Sequence, residues 1–245
     1  MPPPTFFMLL LFFSVSKFLV TPPKLEIVSP GGDITEVVSV YNLDKTHQLR
    51  IKAYTGDWFL SRDGKIMYEK PGKLSLSCSP WITINPAEFD VPPDGKVDVR
   101  ITLSVPDSIK KGHWGVVFFE SIPIPGAWVP TIRIAGRIGL TIYVSPGNVS
   151  YMGGEITSLN YSEGTVQMGF LNNGDIWLKP KLILRAIKPD GSTIVDSTKP
   201  VLVLPGYQRI LKIPFSLKKG KYTLQVDVDY GGSEILRAEK TIKVR

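Results

Sequence analysis

The sequence predicts an all-β protein built from many short strands joined by tight turns, and three observations carry this prediction. Apolar and polar residues alternate with period two in several stretches, most regularly in residues 97–105, which is typical of half-buried strands. Turn-forming residues lie between these stretches, drawn from 22 glycines and 21 prolines. After the N-terminal region, no stretch shows the 3.6-residue periodicity of a long amphipathic helix.

The chain begins with an apolar run at residues 6–15, before the first predicted strand. The run is too short for a comfortable membrane span, but it has the length of the h-region of a secretory signal peptide. Ser14, Val15 and Ser16 offer small residues for cleavage. An uncleaved anchor is the alternative, because residues 1–5 contain no Lys or Arg and Lys17 follows the run. We assign residues 1–21 to a signal peptide or anchor and expect the rest of the chain to be exported.

Residues 22–144 are predicted to form the first of two sandwich domains. The expected strands are 24–28, 34–41, 49–55, 74–78, 81–84, 97–105, 114–120 and 131–144. The last strand is the longest, because every second residue of 132–142 is apolar or small, while the other register carries Arg133 and Arg137. A strand of this length either crosses a whole sandwich or offers an edge with which another chain can pair. Trp128 precedes it in a Pro-Gly loop and is a candidate exposed contact residue.

Residues 145–245 are predicted to form the second domain. The expected strands are 155–161, 166–171, 181–187, 194–196, 209–215, 222–229 and 235–244. Seven short strands in about a hundred residues, with a turn about every ten, are the pattern of an immunoglobulin-like sandwich. The complete prediction is therefore two immunoglobulin-like β-sandwich domains in tandem after an N-terminal signal segment.

Composition and motifs argue against several classes of function. The net charge is +7, but the basic residues are spread along the chain, so we expect no nucleic-acid partner. The single cysteine, Cys78, excludes an intramolecular disulfide and is expected to be a small buried residue. His47 and His113 lack neighbours at metal-ligand spacing, so we expect neither a metal nor a cofactor. Asp227 and Asp229 lie on one face of a predicted strand, where solvent-facing carboxylates are more common than a glycosidic acid–base pair. No motif indicates an enzyme.

The first domain also carries an ordered set of features. It has an extended start before a glycine turn, a strand ending in Asn42, and a turn and strand at residues 92–97. Then follow Phe-Phe-Glu-Ser-Ile-Pro at residues 118–123 and a terminal strand at residues 137–143. In this order they resemble the N-terminal domain of the PapD-like periplasmic chaperones of pilus assembly. The second sandwich is similar to the second domain of that family.

The resemblance implies a mode of partner binding. In the family, an edge strand near the end of the first domain pairs with a pilin subunit that lacks one strand, and its apolar side chains fill the open groove of the subunit. The corresponding side chains here are Ile132, Ile134, Ile138 and Leu140, either as donor side chains or as their core-facing continuation.

The resemblance also implies a basic pair in the cleft between the domains that grips the C-terminal carboxylate of the subunit. Arg137 matches the first member, because it precedes the Ile-x-Leu-x-Ile-Tyr ending, and an Arg there is suited to bidentate carboxylate binding. By count back from Asn42, the second member corresponds to Glu26, which leaves Lys24, one pleat away, for this role. Two alternatives stay open: carboxylate anchoring is absent, or Arg137 is an ordinary surface arginine.

The sequence therefore favours a non-enzymatic chaperone, located in the periplasm or cell envelope, that caps pilus or surface-fibre subunits by strand donation. Its expected partners are secreted pilin-like subunits, with membrane contact only if the N-terminal segment stays uncleaved. The alternative is a structural or adhesive cell-surface protein built from the same sandwiches.

Overall fold

A computed structural model describes residues 18–122, 135–148 and 151–245, and the predicted all-β fold is confirmed. The described part of the chain contains 17 strands and one three-residue 3-10 helix, Ser79–Trp81. The strands are β1 (Phe18–Thr21), β2 (Lys24–Ser29), β3 (Gly32–Asn42), β4 (Leu49–Leu60), β5 (Ile66–Glu69), β6 (Ile82–Asn85), β7 (Glu88–Val91), β8 (Lys96–Val105), β9 (His113–Ile122), β10 (Arg137–Pro146), β11 (Gly154–Ser162), β12 (Thr165–Asn172), β13 (Lys181–Ile187), β14 (Thr193–Ser197), β15 (Gln208–Pro214), β16 (Gly220–Asp229) and β17 (Leu236–Val244).

Strands β1 to β10 form the first sandwich. A four-stranded sheet of order β1-β3-β8-β6 packs on a six-stranded sheet of order β2-β10-β9-β4-β5, in which β7 also pairs with β4. Alternate residues of both sheets meet in one core, where Ile51, Ile101, Phe119 and Leu140 are completely buried. Burial of each such side chain contributes about 1.5–3 kcal/mol, which is why the period-two pattern predicts these strands well.

Strands β11 to β17 form the second sandwich. Its sheets have the orders β11-β12-β15 and β14-β13-β16-β17. The core between them includes Met168, Phe170, Leu184 and Val226, all with no exposed surface. The tandem pair of immunoglobulin-like sandwiches is therefore confirmed.

Three predicted strands of the first sandwich differ from the structure. The strand expected at 131–144 is described from residue 135, and there it begins only at Arg137 and ends at Pro146. The strand expected at 49–55 continues to Leu60, since Gly56 and Asp57 stay in the ladder with β9 and β5. Residues 74–78 form a loop rather than a strand, with one isolated bridge from Ser77 to Trp114. The buried Asp57 carboxylate explains this loop, because it accepts hydrogen bonds from the Leu74 N–H and the Ser77 hydroxyl.

The start of the described chain switches from one sheet to the other. β1 pairs antiparallel with β3, and after Pro22 and Pro23 the chain continues as β2, which pairs parallel with β10. Prolines lack the N–H that a continuing ladder requires. Phe18 and Val20 are buried in the first core, so the last four residues of the segment 1–21 are part of the sandwich. The apolar run at 6–15 lies outside the described residues. Within the described ranges, no helix has the length and apolar character needed to cross a membrane.

An aromatic cluster joins the two sandwiches. The Tyr143 ring of the first lies 4.8 Å from the Trp177 ring of the second, and the Trp114 ring lies 6.0 Å from that of Tyr207. The Gly112 N–H donates a 2.6 Å hydrogen bond to the Asp175 carbonyl. A Cβ atom at Gly112 would lie 3.0 Å from the Trp177 ring, so a side chain there would require the ring to shift by a few tenths of an ångström. The sandwiches therefore meet through packed side chains and backbone hydrogen bonds.

Candidate functional site

Strand β10 divides its side chains between two faces. Leu140 and Ile142 are completely buried in the first core, and Ile138 packs against the same core. Arg137 is exposed on the opposite face, as the period of two requires. Ile138 and Leu140 therefore face their own core, which is the core-facing continuation that the sequence left open beside the donor role. Ile132, Ile134 and Trp128 lie outside the described residues.

The edge of β10 is only partly paired. On one side, β9 pairs with the eight residues 137–144 of β10. On the other side, β2 pairs only with residues 141–146, starting at the register Thr141–Lys24. Residues 137–140 therefore have no strand partner on this side within the described part of the chain. Pro22 and Pro23 explain where the pairing stops. Unpaired N–H and C=O groups at such an edge are a template for another strand.

Arg137 lies on an aromatic surface next to this edge. Its guanidinium carbon is 4.8 Å from the centroid of the Phe118 ring and 5.8 Å from that of Tyr68. The Tyr54 hydroxyl donates a 2.6 Å hydrogen bond to Glu120, the cross-strand partner of Arg137. A hydrogen bond with Tyr54, together with the charge of Glu120, holds the pKa of Arg137 above its usual value, against the effect of burial. Arg137 is thus positioned by neighbours while it stays accessible.

Glycine makes room for this surface. A Cβ atom at Gly56 would lie 2.8 Å from the Phe118 ring, and a Cβ atom at Gly139 would lie 3.1 Å from Val116 and 3.6 Å from the same ring. Phe118 can therefore lie across two neighbouring strands, and its ring is 5.4 Å from that of Tyr54 and 5.1 Å from that of Tyr68. Cation–π contacts of Arg137 with this surface contribute about 0.5–1 kcal/mol at an exposed site.

A second charged group lies where the two sandwiches meet. The Lys24 Nζ is 2.7 Å from the Glu26 Oε1, and the Lys179 Nζ of the second sandwich is 3.8 Å from the same atom. The hydrogen bond from Lys24 lowers the pKa of Glu26, and the charges of both lysines add to this against a small effect of burial. The three side chains are 49%, 44% and 53% exposed, so the group is open to solvent.

Tyr143 lies beside this charged group, as the cross-strand partner of Glu26. Its ring packs between Trp58, at 6.0 Å, and Trp177, at 4.8 Å. Burial raises the pKa of Tyr143 to about 12, with a further contribution from the charge of Glu26, while the Thr141 hydroxyl acts in the opposite direction. The phenol is therefore protonated at neutral pH and remains a hydrogen-bond donor.

The structure does not bring the two predicted basic residues together. Lys24 is in register with Thr141, and Arg137 lies four residues before Thr141 on the same strand. Four strand residues span about 13 Å along the backbone, and the Lys24 ammonium group pairs with Glu26 while the Arg137 guanidinium lies over the Phe118 ring. The lysine that shares Glu26 with Lys24 is Lys179, which the sequence analysis did not single out. Lys179 belongs to the other sandwich, so no periodicity within the first domain indicates it.

Other candidate residues have structural surroundings. Cys78 is completely buried, which raises the pKa of its thiol. The His113 ring packs at a tilt against that of Trp81, with 4.5 Å between the ring centroids, and burial lowers the pKa of His113. Asp227 is bonded to Arg185 and Arg237 across its sheet. The described residues contain no group of three His, Cys, Asp or Glu side chains that could hold a metal ion.

Comparisons with known proteins place this geometry in a structural context. No model of a protein family matches the chain, and no curated protein matches it. Among solved structures, the class 5 fimbriae chaperone CfaA matches with a TM-score of 0.57 and 16% identity, over 91% of this chain and 98% of that chain. A chaperone–tip adhesin complex of CFA/I fimbriae biogenesis gives a TM-score of 0.55 at 15% identity, with the same coverage of 91% and 98%.

A third solved structure is the CsuC–CsuE chaperone–tip adhesion subunit pre-assembly complex, from the archaic chaperone–usher Csu pili of Acinetobacter baumannii. It matches with a TM-score of 0.50 and 16% identity, over 91% of this chain and 97% of that chain. At a sequence identity of 15–16%, the structural similarity shows a shared fold. These three structures are of fimbrial chaperones or their complexes, and the resemblance inferred from the sequence is confirmed for the fold.

Proposed function

We propose that this chain is a non-enzymatic, exported chaperone that caps pilus or surface-fibre subunits by strand donation. The observation that carries the proposal is the unpaired edge of β10 at residues 137–140, which begins at Arg137 and continues toward Tyr143, where the two sandwiches are in contact. The fold shared with chaperones that were solved with adhesin subunits supports the same function.

In this proposal the subunit binds as an added strand. The backbone of residues 137–140 supplies ladder hydrogen bonds, since this edge lacks another partner among the described residues. Ile132 and Ile134 fill the groove of the subunit, because Ile138 and Leu140 in the same register are already committed to the first core. Arg137 and Trp128 contact the subunit next to the donated strand. The partner is a secreted pilin-like subunit, and the compartment is the periplasm or the cell envelope.

The domain division belongs to the same proposal. Residues 1–21 include the export signal or anchor, residues 22–144 form the donor sandwich, and residues 145–245 form the second sandwich, which closes the cleft. If the signal is cleaved at residues 14–16, as the small residues there suggest, β1 survives cleavage and stays paired with β3.

One observation favours the alternative of a structural or adhesive surface protein. The edge strand β5 carries Ile66, Met67 and Tyr68, which are 56%, 44% and 49% exposed. Apolar side chains on both faces of a short edge strand suit a permanent protein contact. This alternative predicts that the chain remains with the cell envelope and captures no soluble subunit.

Affinity purification of the exported chain from its own cells tests the proposal. The wild type is compared with the double variant Ile132→Asp/Ile134→Asp, and with Arg133→Ser as the control in the other register of the same stretch. We expect the wild type and the control to recover a small secreted subunit and the double variant to lose it. The recovered subunit, unfolded in urea and diluted, should stay soluble only when the chain is present. Equal recovery by all three proteins would refute strand donation, and no recovery by any would support the surface-protein alternative.

A further inference from the structure

Strand β5 ends the six-stranded sheet of the first sandwich, and its outer edge has no strand partner among the described residues. Its four residues, Ile66–Glu69, are all exposed. Edge strands of monomeric proteins are commonly protected from other chains by charged side chains, proline or a bulge. Here the charges lie only at the two ends, at Lys65 and Glu69, and the residues between them are apolar or aromatic. The outer edge of β5 can therefore accept another strand.

The turn between β4 and β5 shows which backbone groups of β5 point outward. The Ser61 N–H donates a 2.9 Å hydrogen bond to the Lys65 carbonyl, and the Lys65 N–H donates a 3.0 Å hydrogen bond to the Ser61 hydroxyl. Lys65 thus directs both of its backbone groups toward β4. Because this direction alternates along an antiparallel strand, Met67 also bonds toward β4. The N–H and C=O groups of Ile66 and Tyr68 consequently point away from the sheet.

A second copy of the same strand fits this edge in an antiparallel arrangement. A two-fold axis at Met67 places Ile66 of each copy opposite Tyr68 of the other. The outward groups of both strands then face each other and can exchange backbone hydrogen bonds. A shift by one residue would instead place outward groups opposite groups that already bond to β4. The backbone therefore allows the register centred on Met67 and the registers displaced from it by two residues.

The charges distinguish between these registers. With the axis at Met67, Lys65 of each copy lies opposite Glu69 of the other, on the face of the strand that also carries Met67. Opposite charges that face each other across two strands stabilise the pair, and like charges destabilise it. A shift of two residues in one direction would place Glu69 opposite Asp63, and a shift in the other direction would place Lys65 opposite Pro71. The edge is therefore self-complementary in the register centred on Met67.

The strand is held in place before any partner binds. At the turn, the Ile210 N–H of the second sandwich donates a 2.7 Å hydrogen bond to the Arg62 carbonyl. Near the other end of β5, the Tyr68 ring packs edge-on against the Phe118 ring, with 5.1 Å between the centroids. An edge that is already ordered loses less conformational entropy when it pairs.

We propose that β5 is a homodimer interface, in which two copies of this chain pair antiparallel about a two-fold axis at Met67. The six-stranded sheets of the two molecules then form one continuous sheet. Strands β9 and β4 lie between β10 and β5, so the dimer leaves the edge at residues 137–140 open. The proposal does not depend on the proposed function. A short edge gives a small interface, so we expect a dissociation constant of about 1–100 μM.

Charge reversal tests the contact between Lys65 and Glu69. Sedimentation equilibrium of the purified exported chain, at concentrations up to about 500 μM, compares the wild type with Lys65→Glu, Glu69→Lys and the double variant. Lys243→Glu and Glu155→Lys make the same changes of net charge on the exposed edge strands β17 and β11, and are the matched controls. All these positions are exposed, and circular dichroism checks that each variant is folded.

We expect each single reversal at β5 to weaken the dimer at least about tenfold, because the dimer contains the contact twice and each like-charge pair repels. The double variant Lys65→Glu/Glu69→Lys should restore the dimer, since it exchanges the two charges. An equimolar mixture of the two single variants should form a heterodimer in which opposite charges again face each other. Both matched controls should dimerise as the wild type does.

Cross-linking tests the register. In the proposed dimer the Met67 residues of the two copies are a directly opposed pair with Cα atoms about 4.5 Å apart, within the range of a disulfide. Met67→Cys should therefore give a covalent dimer under mild oxidation. Lys65→Cys is the control, since its two copies lie four residues out of register, about 13 Å apart. Cys78 is completely buried and does not compete in the native chain.

Several results would overturn the proposal. A chain that is monomeric at every concentration has no such interface. A dimer that both single reversals leave unchanged, or that Lys65→Cys cross-links as efficiently as Met67→Cys, uses another surface or another register. If the reversals reduce recovery of a secreted subunit without affecting self-association, β5 contacts the subunit instead. A dimer that captures no subunit would support the homodimer and refute the chaperone function, and a monomer that captures one would do the reverse.

Discussion

Replacement of Leu140 by alanine tests whether β10 holds the first sandwich together through its even-numbered residues. Leu140 has no exposed surface and lies in the first core. The substitution removes about three methyl or methylene groups at ~0.8 kcal/mol each. The cavity left behind raises the cost, so we expect a loss of about 3–4 kcal/mol in the free energy of unfolding. With a urea m-value of about 2 kcal/mol/M for a small domain, the midpoint should fall by about 1.5–2 M.

The assay is urea unfolding followed by tryptophan fluorescence, since Trp58 and Trp114 are both buried in the first sandwich. The matched control is Arg137→Ala, three residues earlier on the opposite face of the same strand. It removes an exposed cation–π contact and should cost no more than about 1 kcal/mol. If Leu140→Ala costs no more than Arg137→Ala, Leu140 is not a core residue, and its role as a donor side chain must be reconsidered.

Three further predictions address other parts of the chain. Asp227→Asn should lower the free energy of unfolding by about 1–3 kcal/mol at pH 7, because it leaves Arg185 and Arg237 without their shared carboxylate. Arg237 and Arg185 lower the pKa of Asp227, so its contribution is complete above the unfolded pKa of about 3.9 and is lost as the pH falls through the folded pKa. The difference in the free energy of unfolding between the wild type and Asp227→Asn, measured by urea titration, should be smaller at pH 3 than at pH 7. An equal difference at both pH values would contradict the ion-pair argument. Cys78 should react with a thiol reagent only after unfolding, since burial raises its pKa, and rapid labelling of the native chain would contradict this. Trp177→Ala should loosen the joint between the sandwiches by about 0.5–1.5 kcal/mol while each keeps its fold. Small-angle scattering should then show a broader distribution of distances within the molecule. An unchanged profile would show that the backbone hydrogen bonds between the sandwiches are enough to fix the joint.

Periodicity predicts most of the strands because one face of each is buried. All seven strands predicted for the second sandwich are present, and alternation alone locates β8 within two residues. Periodicity fails where burial is absent. Strand β5 is exposed along its whole length, so its residues carry no alternation, and it forms only because β4 extends far enough to pair with it. The loop at 74–78 has apolar residues that suggest a strand, but the buried Asp57 carboxylate takes up its polar groups instead.

The candidate site was less predictable than the fold for a physical reason. Alternation along one strand assigns each of its residues to one of two faces, so the sequence alone placed Arg137 on the outer face of β10. Which groups meet across the cleft depends on how two separate sandwiches pack, and that packing is set by the aromatic cluster around Tyr143 and Trp177. No pattern of residues within one strand or one domain indicates this packing. Lys179 was therefore missed. Lys24 was instead predicted to act with Arg137, which lies about 13 Å along β10 from Thr141, the register partner of Lys24.

Strand β10 combines three roles because each uses a different direction of the same backbone. Its even-numbered side chains point into the first core, its odd-numbered side chains lie on the opposite face, and its hydrogen-bonding edge lies in the plane of the sheet. These directions are independent, so a substitution at Arg137 or Thr141, whose side chains face away from the core, leaves the core intact. The edge alone depends on a distant part of the sequence, since the prolines at 22 and 23 end the pairing of β2 at Thr141. Replacement of these prolines by residues that donate a hydrogen bond would let β2 extend along residues 137–140 and close the edge to a partner.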